Sequence, residues 1–263
     1  MERYRRGKGK QRLLGSHAKC WVWGRNAVLE TLAAGRWPIL ELYLADTVDA
    51  AQVERAREAL RPRGLIPVVE PAAELTRRCH SAEHQGFLAK MAEFPYRLEA
   101  EVLAGPDASR PPCYAILDGV QDPYNFGAIL RSAEVFGVHG IFLGERGQVG
   151  VTSMVARSSA GAVNRVSICR VARLDELAGR LRAKGITVIG SSAQAEVTIE
   201  QCDLRRPVAL AIGNEGRGMS ADLAPGCDLL VKIPQQGVIG SLNAAVAASI
   251  LFYEVQRQRL ARV

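Results

Sequence analysis

Apolar positions in the first third of the chain follow two spacings. "GRNAVLETLAAG" places Val28, Leu29, Leu32 and Ala33 on one helical face. A strand "ILELYL", a helix "AAQVERAREAL", a strand "LIPVV", a helix "AAELTRRC" and a strand "GFLAKM" follow. This pattern predicts a small α/β domain over residues 20–94. The Pro- and Gly-bearing stretch "EFPYRLEAEVLAGPDASRPP" then reads as connecting chain, giving a linker at 95–112.

From Cys113 on, the alternation is stronger. "CYAILDG" and "IFLG" predict strands around the helix "YNFGAILRSAEVFG"; "TSMVARSSAG" is helical, and "VSICRV" and "LDELAGRLRAKG" form a further strand and helix. "ITVIGSS", "PVALAIG" and "LLVKIP" are continuous apolar runs, the mark of strands buried on both faces of a parallel sheet. A long helix closes the chain, with Leu242, Val246, Ile250 and Tyr253 as its apolar stripe and Ser241 as its expected N-cap. Residues 113–263 are thus predicted to form a doubly wound α/β domain.

In such sheets ligands bind at the carboxyl ends of strands. Three strands here run into loops rich in Gly, Asn, Glu or Ser: "LDGVQDPYNFGAILR", "ALAIGNEGRGMS" and "VKIPQQGVIGSLNAA". The second has Gly213, Gly216 and Gly218 as GxxGxG, not the GxGxxG of a dinucleotide site. No Walker motif, GxSxG elbow or HExxH occurs. Hydride transfer and ATP hydrolysis therefore lack their usual equipment. Glycines that let backbone approach closely, beside Leu210, Ile212, Ile233 and Leu242, suit a neutral or zwitterionic nucleoside-like ligand.

Charge sharpens the picture. Residues 1–19 carry seven of the 34 Lys/Arg and one of the 27 acids, leaving 27 and 26 on the other 244 residues. The basic character is a tail, suited to nucleic-acid phosphates or to keeping a flexible terminus soluble. The six cysteines show no CxxC pair, as expected of free thiols in a reducing cytoplasm. His80 and His84 beside Cys79 mimic a metal pair but lack an acidic third ligand, so no metal is expected. "AVAASILFY" is far too short to span a bilayer, and the basic N-terminus lacks the apolar core of a secretory signal. No membrane association and a cytoplasmic location are expected.

The three loop segments, in this order, closely resemble the motifs of the SpoU/TrmH family of S-adenosylmethionine-dependent RNA 2′-O-ribose methyltransferases, in the SPOUT class. "NFGAILRSAEVFG", "IGNEGRGMS" and "IPQQGVIGSLNAAVAASI" match the family's three motifs, over residues 113–263. Residues 20–94 look similar to the L30e-like RNA substrate-binding domain of many members. "GRNAVLE" and "HQGFLAKM" are most similar to the RlmB-like enzymes that methylate a guanosine of 23S ribosomal RNA. The resemblance implies a C-terminal trefoil knot, S-adenosylmethionine as cofactor, and a homodimer with the active site at its interface. It carries catalytic roles onto Asn125, Arg131, Glu215, Ser241 and Asn243, and cofactor contacts onto Gly213, Ile233 and Leu242. Many members have Met after the third motif's Pro; this chain departs from them with Gln235, beside the expected cofactor loop.

Arg131 is out of place as a helix-stabilising residue, because a cation near a helix N-terminus gains nothing from the macrodipole. Its guanidinium, a donor-only cation, is expected to anchor a phosphate and stabilise a developing 2′-alkoxide, its side chain leaning back toward the strand-end site. Asn125 and Glu215 are expected to orient it or to cap loops. Arg157, Arg165, Arg170 and Arg173 form a candidate RNA-phosphate surface. A ribosomal substrate is favoured over transfer RNA. An adenosine of ribosomal RNA, as in antibiotic resistance, and a non-catalytic RNA-binding homologue remain open.

Overall fold

A computed structural model describes residues 21–105, 110–214, 216–238 and 240–260. The basic tail and Glu215 lie outside the described residues. The chain forms two compact units. One takes the described residues up to Pro95 together with Val151–Asn164; the other takes Tyr96–Gly150 and the chain from Arg165 on.

The first unit contains β1 (Trp21–Trp23), α1 (Arg25–Ala34), β2 (Ile39–Ala45), α2 (Ala50–Leu60), β3 (Val68–Glu70), α3 (Ala72–Cys79) and β4 (Phe87–Met91). Its sheet has the order β1-β4-β2-β3, with β4 antiparallel to both neighbours and β3 parallel to β2. β1 is an element the periodicity does not single out: three residues are too few to show a period, and it is held by pairing with β4. The predicted "TSMVARSSAG" helix appears as Ser153–Ser158, capped by the Thr152 hydroxyl, and packs on β1. It therefore belongs to the first unit, although its sequence neighbours belong to the second.

The second unit begins in the segment read as connecting chain, where Glu99–Ala104 is in fact a helix. The Glu101 carboxylate accepts a hydrogen bond from the backbone N–H of Leu98 and so closes its first turn. Seven strands follow: β5 (Cys113–Leu117), β6 (Gly140–Gly144), β7 (Ile168–Val171), β8 (Thr187–Ser191), β9 (Val197–Thr198), β10 (Val208–Ile212) and β11 (Leu229–Lys232). All neighbouring pairs are parallel, in the order β7-β6-β5-β10-β8-β11-β9. The chain steps outward from β5 to β7, crosses to β8, and later inserts β10 between β5 and β8. β5 and β10 are buried at every position, as their unbroken apolar runs require.

Strand alternation sends Tyr114, Ile116, Ala209 and Ala211 to one face, where they meet Leu177 and Leu181 of the helix Leu174–Ala183. Two further helices, Pro123–Val135 and Ala244–Leu260, pack side by side, the latter also against β10. The final helix departs from the sequence reading in two ways. It starts at Ala244, with Asn243 rather than Ser241 as its cap: the Asn243 side-chain oxygen accepts from the N–H groups of Ala245 and Val246 at 2.9 and 3.2 Å. Its buried face is Ala244, Ala248, Leu251, Phe252 and Val255, while Val246 and Tyr253 are exposed. The helix is apolar nearly all round, so periodicity cannot choose a face; the alanine side wins because small residues allow close packing.

Candidate functional site

The loops that follow β5, β10 and β11 converge at the carboxyl ends of these strands, where the sheet order brings β5 beside β10. The loop after β5 ends at Asp122, whose carboxylate accepts from the Tyr124 N–H and caps the helix Pro123–Val135, with Pro123 at its first position. That helix carries Asn125 and Arg131. The loop after β11 ends at Asn243, which caps the final helix.

A cavity of about 420 Å³ opens among these loops. Gly213, Ile233 and Leu242, the three positions predicted to contact a cofactor, all line it, as do Ser241 and Gln235. Its walls combine apolar Ile212, Met219 and Leu230 with backbone and uncharged polar groups. Among its described lining residues only Arg217 is ionisable. A volume within the range of small-molecule sites and mostly uncharged walls fit a flat base joined to a zwitterionic chain.

Asn125 and Asn243 form a second cluster. The Asn243 amide donates to the Asn125 side-chain oxygen at 3.0 Å, joining two helices whose residues are 118 positions apart. One turn or more further along, the hydroxyls of Ser132 and Ser249 share a hydrogen bond of 2.7 Å between the same helices. Arg131 is exposed and is not part of the cavity lining. Glu215 lies outside the described residues.

The structure also shows participants that residue types and spacing did not single out. Ser191, at the end of β8, and Ser192 and Gln194, from the loop after it, complete one cavity wall. Asp118 and Asn214 bind the loop after β5 to the loop after β10. The Asp118 carboxylate accepts from the Ser220 N–H at 2.6 Å, and the Asn214 amide donates to the Gly119 carbonyl at 2.9 Å. An Asn followed by a Gly-rich turn is the one local signal that could have marked Asn214.

The arginines expected to form an RNA-phosphate surface are divided between the two units. Arg157 belongs to the first unit, where it pairs with Glu83 at 2.8 Å and lies over the Trp23 ring. Arg173, in the second, is held by Asp175 and by Glu176 at 3.2 Å. Arg170 stacks on Tyr96. His84 is buried, lies 3.0 Å from the Thr76 hydroxyl through Nε2, and accepts from the Gly86 N–H through Nδ1; burial lowers its pKa. Both ring nitrogens are thus engaged within the domain.

The chain is similar to known proteins over both of its units. Residues 112–253 match the model of the SpoU rRNA Methylase family, and residues 21–97 match that of the RNA 2′-O ribose methyltransferase substrate-binding domain. A Bacillus subtilis protein named as a TrmH family tRNA/rRNA methyltransferase, YacO, is 36% identical over 240 residues, covering 91% of this chain and 96% of its own length. The SpoU methyltransferase AviRb of Streptomyces viridochromogenes, solved in complex with AdoMet, superposes with a TM-score of 0.78 at 26% identity, over 92% of this chain and 90% of its own. An AdoMet-bound rRNA methyltransferase from Sinorhizobium meliloti superposes with a TM-score of 0.79 at 26% identity, over 94% and 90%.

Proposed function

Because the chain belongs to the SpoU rRNA Methylase family, we propose that it methylates a ribose 2′-hydroxyl in RNA with S-adenosylmethionine as methyl donor. The observation that carries this reading is the cavity at the ends of β10 and β11, lined by Gly213, Ile233 and Leu242, in the same domain as the Asn125–Asn243 pair. When bound, S-adenosylmethionine supplies an electrophilic methyl group on a positively charged sulfur. Gly213, Ile233, Leu242 and Ser241 would hold it, backbone groups reading its polar edges and the aliphatic side chains covering its base.

The protein's own part is to present the 2′-oxygen in line and to stabilise the charge that forms on it. Arg131 fits the second task. Its guanidinium is a delocalised, donor-only cation with no lone pair to accept a proton, so it serves as a fixed charge and not as the base. Its fork can grip the adjoining phosphate with two hydrogen bonds while facing the developing oxyanion. Asn125 and Asn243 hold the helix that carries it, and Glu215 is assigned the task of orienting it.

The active assembly is a homodimer. Tyr124 and Val135 on the Arg131 helix, and Val246 and Tyr253 on the final helix, are 47–61% exposed. A second copy covering these residues would place Arg131 at an interface and let both protomers build one active site. The C-terminal part of the domain is assigned a trefoil knot, in keeping with the late insertion of β10 between β5 and β8.

The favoured substrate is a guanosine of 23S ribosomal RNA, held by the first unit. The ribosomal RNA named for the matching SpoU rRNA Methylase family and for the Sinorhizobium meliloti enzyme supports this over transfer RNA. A cytoplasmic location accords with that substrate and with the free Cys79, Cys113, Cys169, Cys202 and Cys227. Among the described residues no helix is long and apolar enough to cross a membrane.

The test offers labelled S-adenosylmethionine with ribosomal or transfer RNA, followed by alkaline hydrolysis. A 2′-O-methyl group blocks cleavage at its own phosphate, so an alkali-resistant labelled dinucleotide identifies both chemistry and site. Label on a base, with no resistant dinucleotide, refutes the ribose assignment.

A further inference from the structure

Asn214 stands between Gly213, which lines the cavity, and Glu215. Its backbone closes the loop after β10 on itself: its N–H donates to the Gly218 carbonyl at 2.9 Å, and its carbonyl accepts from the Gly218 N–H at 2.8 Å. Its side-chain oxygen accepts from the N–H groups of Gly216 and Arg217, at 2.9 and 3.2 Å. These hydrogen bonds fix the shape of one cavity wall. Another leaves the loop. The side-chain amide donates to the carbonyl of Gly119 at 2.9 Å, 95 residues earlier, in the loop that leads into the Arg131 helix.

The two loops approach closely at that point. Gly119 has a positive φ of 80°, and a Cβ there would lie 3.4 Å from the Asn214 Cβ. Next to it, the Asp118 N–H donates to the Ile212 carbonyl at 2.9 Å, and its carboxylate receives the Ser220 N–H. Three residues beyond Gly119, Asp122 caps the helix that bears Asn125 and Arg131. The cavity wall and that helix are thus joined by a short path through Gly119 and Asp122.

We infer that Asn214 is a positioning residue for methyl transfer: its amide keeps the cofactor wall and the Arg131 helix in register. This rests on the methyltransferase reading above. The two halves of its side chain have separable tasks. The oxygen shapes the loop, which governs how tightly the cofactor is held. The amide sets the distance between methyl donor and Arg131, which governs the rate once both substrates are bound, where a misplacement of about 1 Å costs up to ~100-fold.

Asn214→Asp separates them. The carboxylate keeps the acceptors for Gly216 and Arg217 but faces the Gly119 carbonyl with an oxygen instead of a donor. Calorimetric titration with S-adenosylmethionine should give a Kd within about threefold of wild type, whereas kcat for RNA methylation should fall by roughly tenfold or more. Protonation restores an O–H donor to the new carboxyl group, so the ratio of variant to wild-type kcat should rise as pH falls through its pKa. A role confined to loop stability predicts no such rise. Asn214→Ala, which removes both halves, should weaken cofactor binding as well as slow turnover.

Asn214→Asp turning over at the wild-type rate overturns the inference. So does a variant that loses kcat and cofactor affinity together with a ratio flat in pH. A wild-type protein that binds S-adenosylmethionine yet methylates no RNA overturns the functional reading itself, and the positioning role with it.

Discussion

Asn243 joins two functions in one side chain: its oxygen caps the final helix at Ala245 and Val246, and its amide grips the Asn125 oxygen at 3.0 Å. The cap is worth about 1 kcal/mol, and the grip fixes the helix that carries Arg131. Asn243→Ser should separate them, because a hydroxyl can cap a helix but is too short to bridge to Asn125. Thermal stability should stay within about 0.5 kcal/mol of wild type, while single-turnover methylation slows about tenfold. Equal rates for variant and wild type would remove Asn243 from the catalytic arrangement.

Arg131→Ala should leave S-adenosylmethionine affinity unchanged, since Arg131 does not line the cavity. Methylation should fall by about 100-fold or more, the usual cost of losing a preorganised oxyanion partner. Arg131→Lys should recover only part of the rate, because an ammonium cannot grip phosphate and oxyanion with one planar fork. Quench-flow assays with excess cofactor measure both variants. A lysine variant as fast as wild type would reduce Arg131 to a simple charge.

The candidate site was legible where backbone needs dictate residue type. Strands buried on both faces write themselves as unbroken apolar runs, so β5, β8 and β10 could be read directly; β11 carries the same pattern, yet its Leu230 is exposed and only Val231 is buried. Gly213, Ile233 and Leu242 follow from strand ends and from the family resemblance. What stayed hidden depends on partners far along the chain. The insertion of β10 between β5 and β8 is non-local, and the Asn214–Gly119 bond spans 95 residues. The final helix misled for a different reason: two apolar faces compete, and only packing decides which is buried. Its exposed Val246 and Tyr253 are the residue of that ambiguity.

That exposed face gives a prediction about assembly. Val246→Glu combined with Tyr253→Glu places two charges on the proposed dimer surface, where an uncompensated buried charge is costly. The variant should sediment as a monomer where the wild type sediments as a dimer, with methylation lost although the fold, judged by circular dichroism, is retained. Monomeric wild type in analytical ultracentrifugation at micromolar concentration would dismiss the interface.

Among the described residues, Arg259 holds the end of the final helix through backbone carbonyls. Its guanidinium donates to the carbonyls of Pro111, Pro112, Leu204 and Arg206 at 2.6, 3.2, 3.1 and 2.9 Å. Truncation leaves several backbone acceptors unsatisfied, and a lysine cannot span four carbonyls with three donors. Arg259→Ala should destabilise the domain by about 2 kcal/mol, and Arg259→Lys by a sizeable fraction of that, in urea unfolding followed by tryptophan-independent far-UV dichroism. A wild-type midpoint for the alanine variant would show that the interaction is not a fastener.

Acid should weaken this protein before its carboxylates titrate. His139 accepts the Cys113 N–H through Nδ1 at 3.0 Å. Burial lowers its pKa from the ordinary value of 6.5, and Arg259 and Arg110 lower it further. In the unfolded chain the imidazole takes its proton near pH 6.5, while the folded form still resists it. Stability is therefore complete above about pH 6.5 and declines as pH falls through the folded pKa, because the unfolded state binds the proton first. His84, lowered by burial in the first unit, adds to the same decline. The folded-state carboxylates whose pKa is lowered, such as Glu254 beside Arg257, contribute only at lower pH, below the ordinary carboxylate value of 4.5. Melting temperature measured from pH 7.5 to 5.5 should drop for wild type and drop less for His139→Gln, whose amide oxygen can still accept from Cys113 but cannot titrate. An identical drop in the two proteins would assign the acid sensitivity to another group.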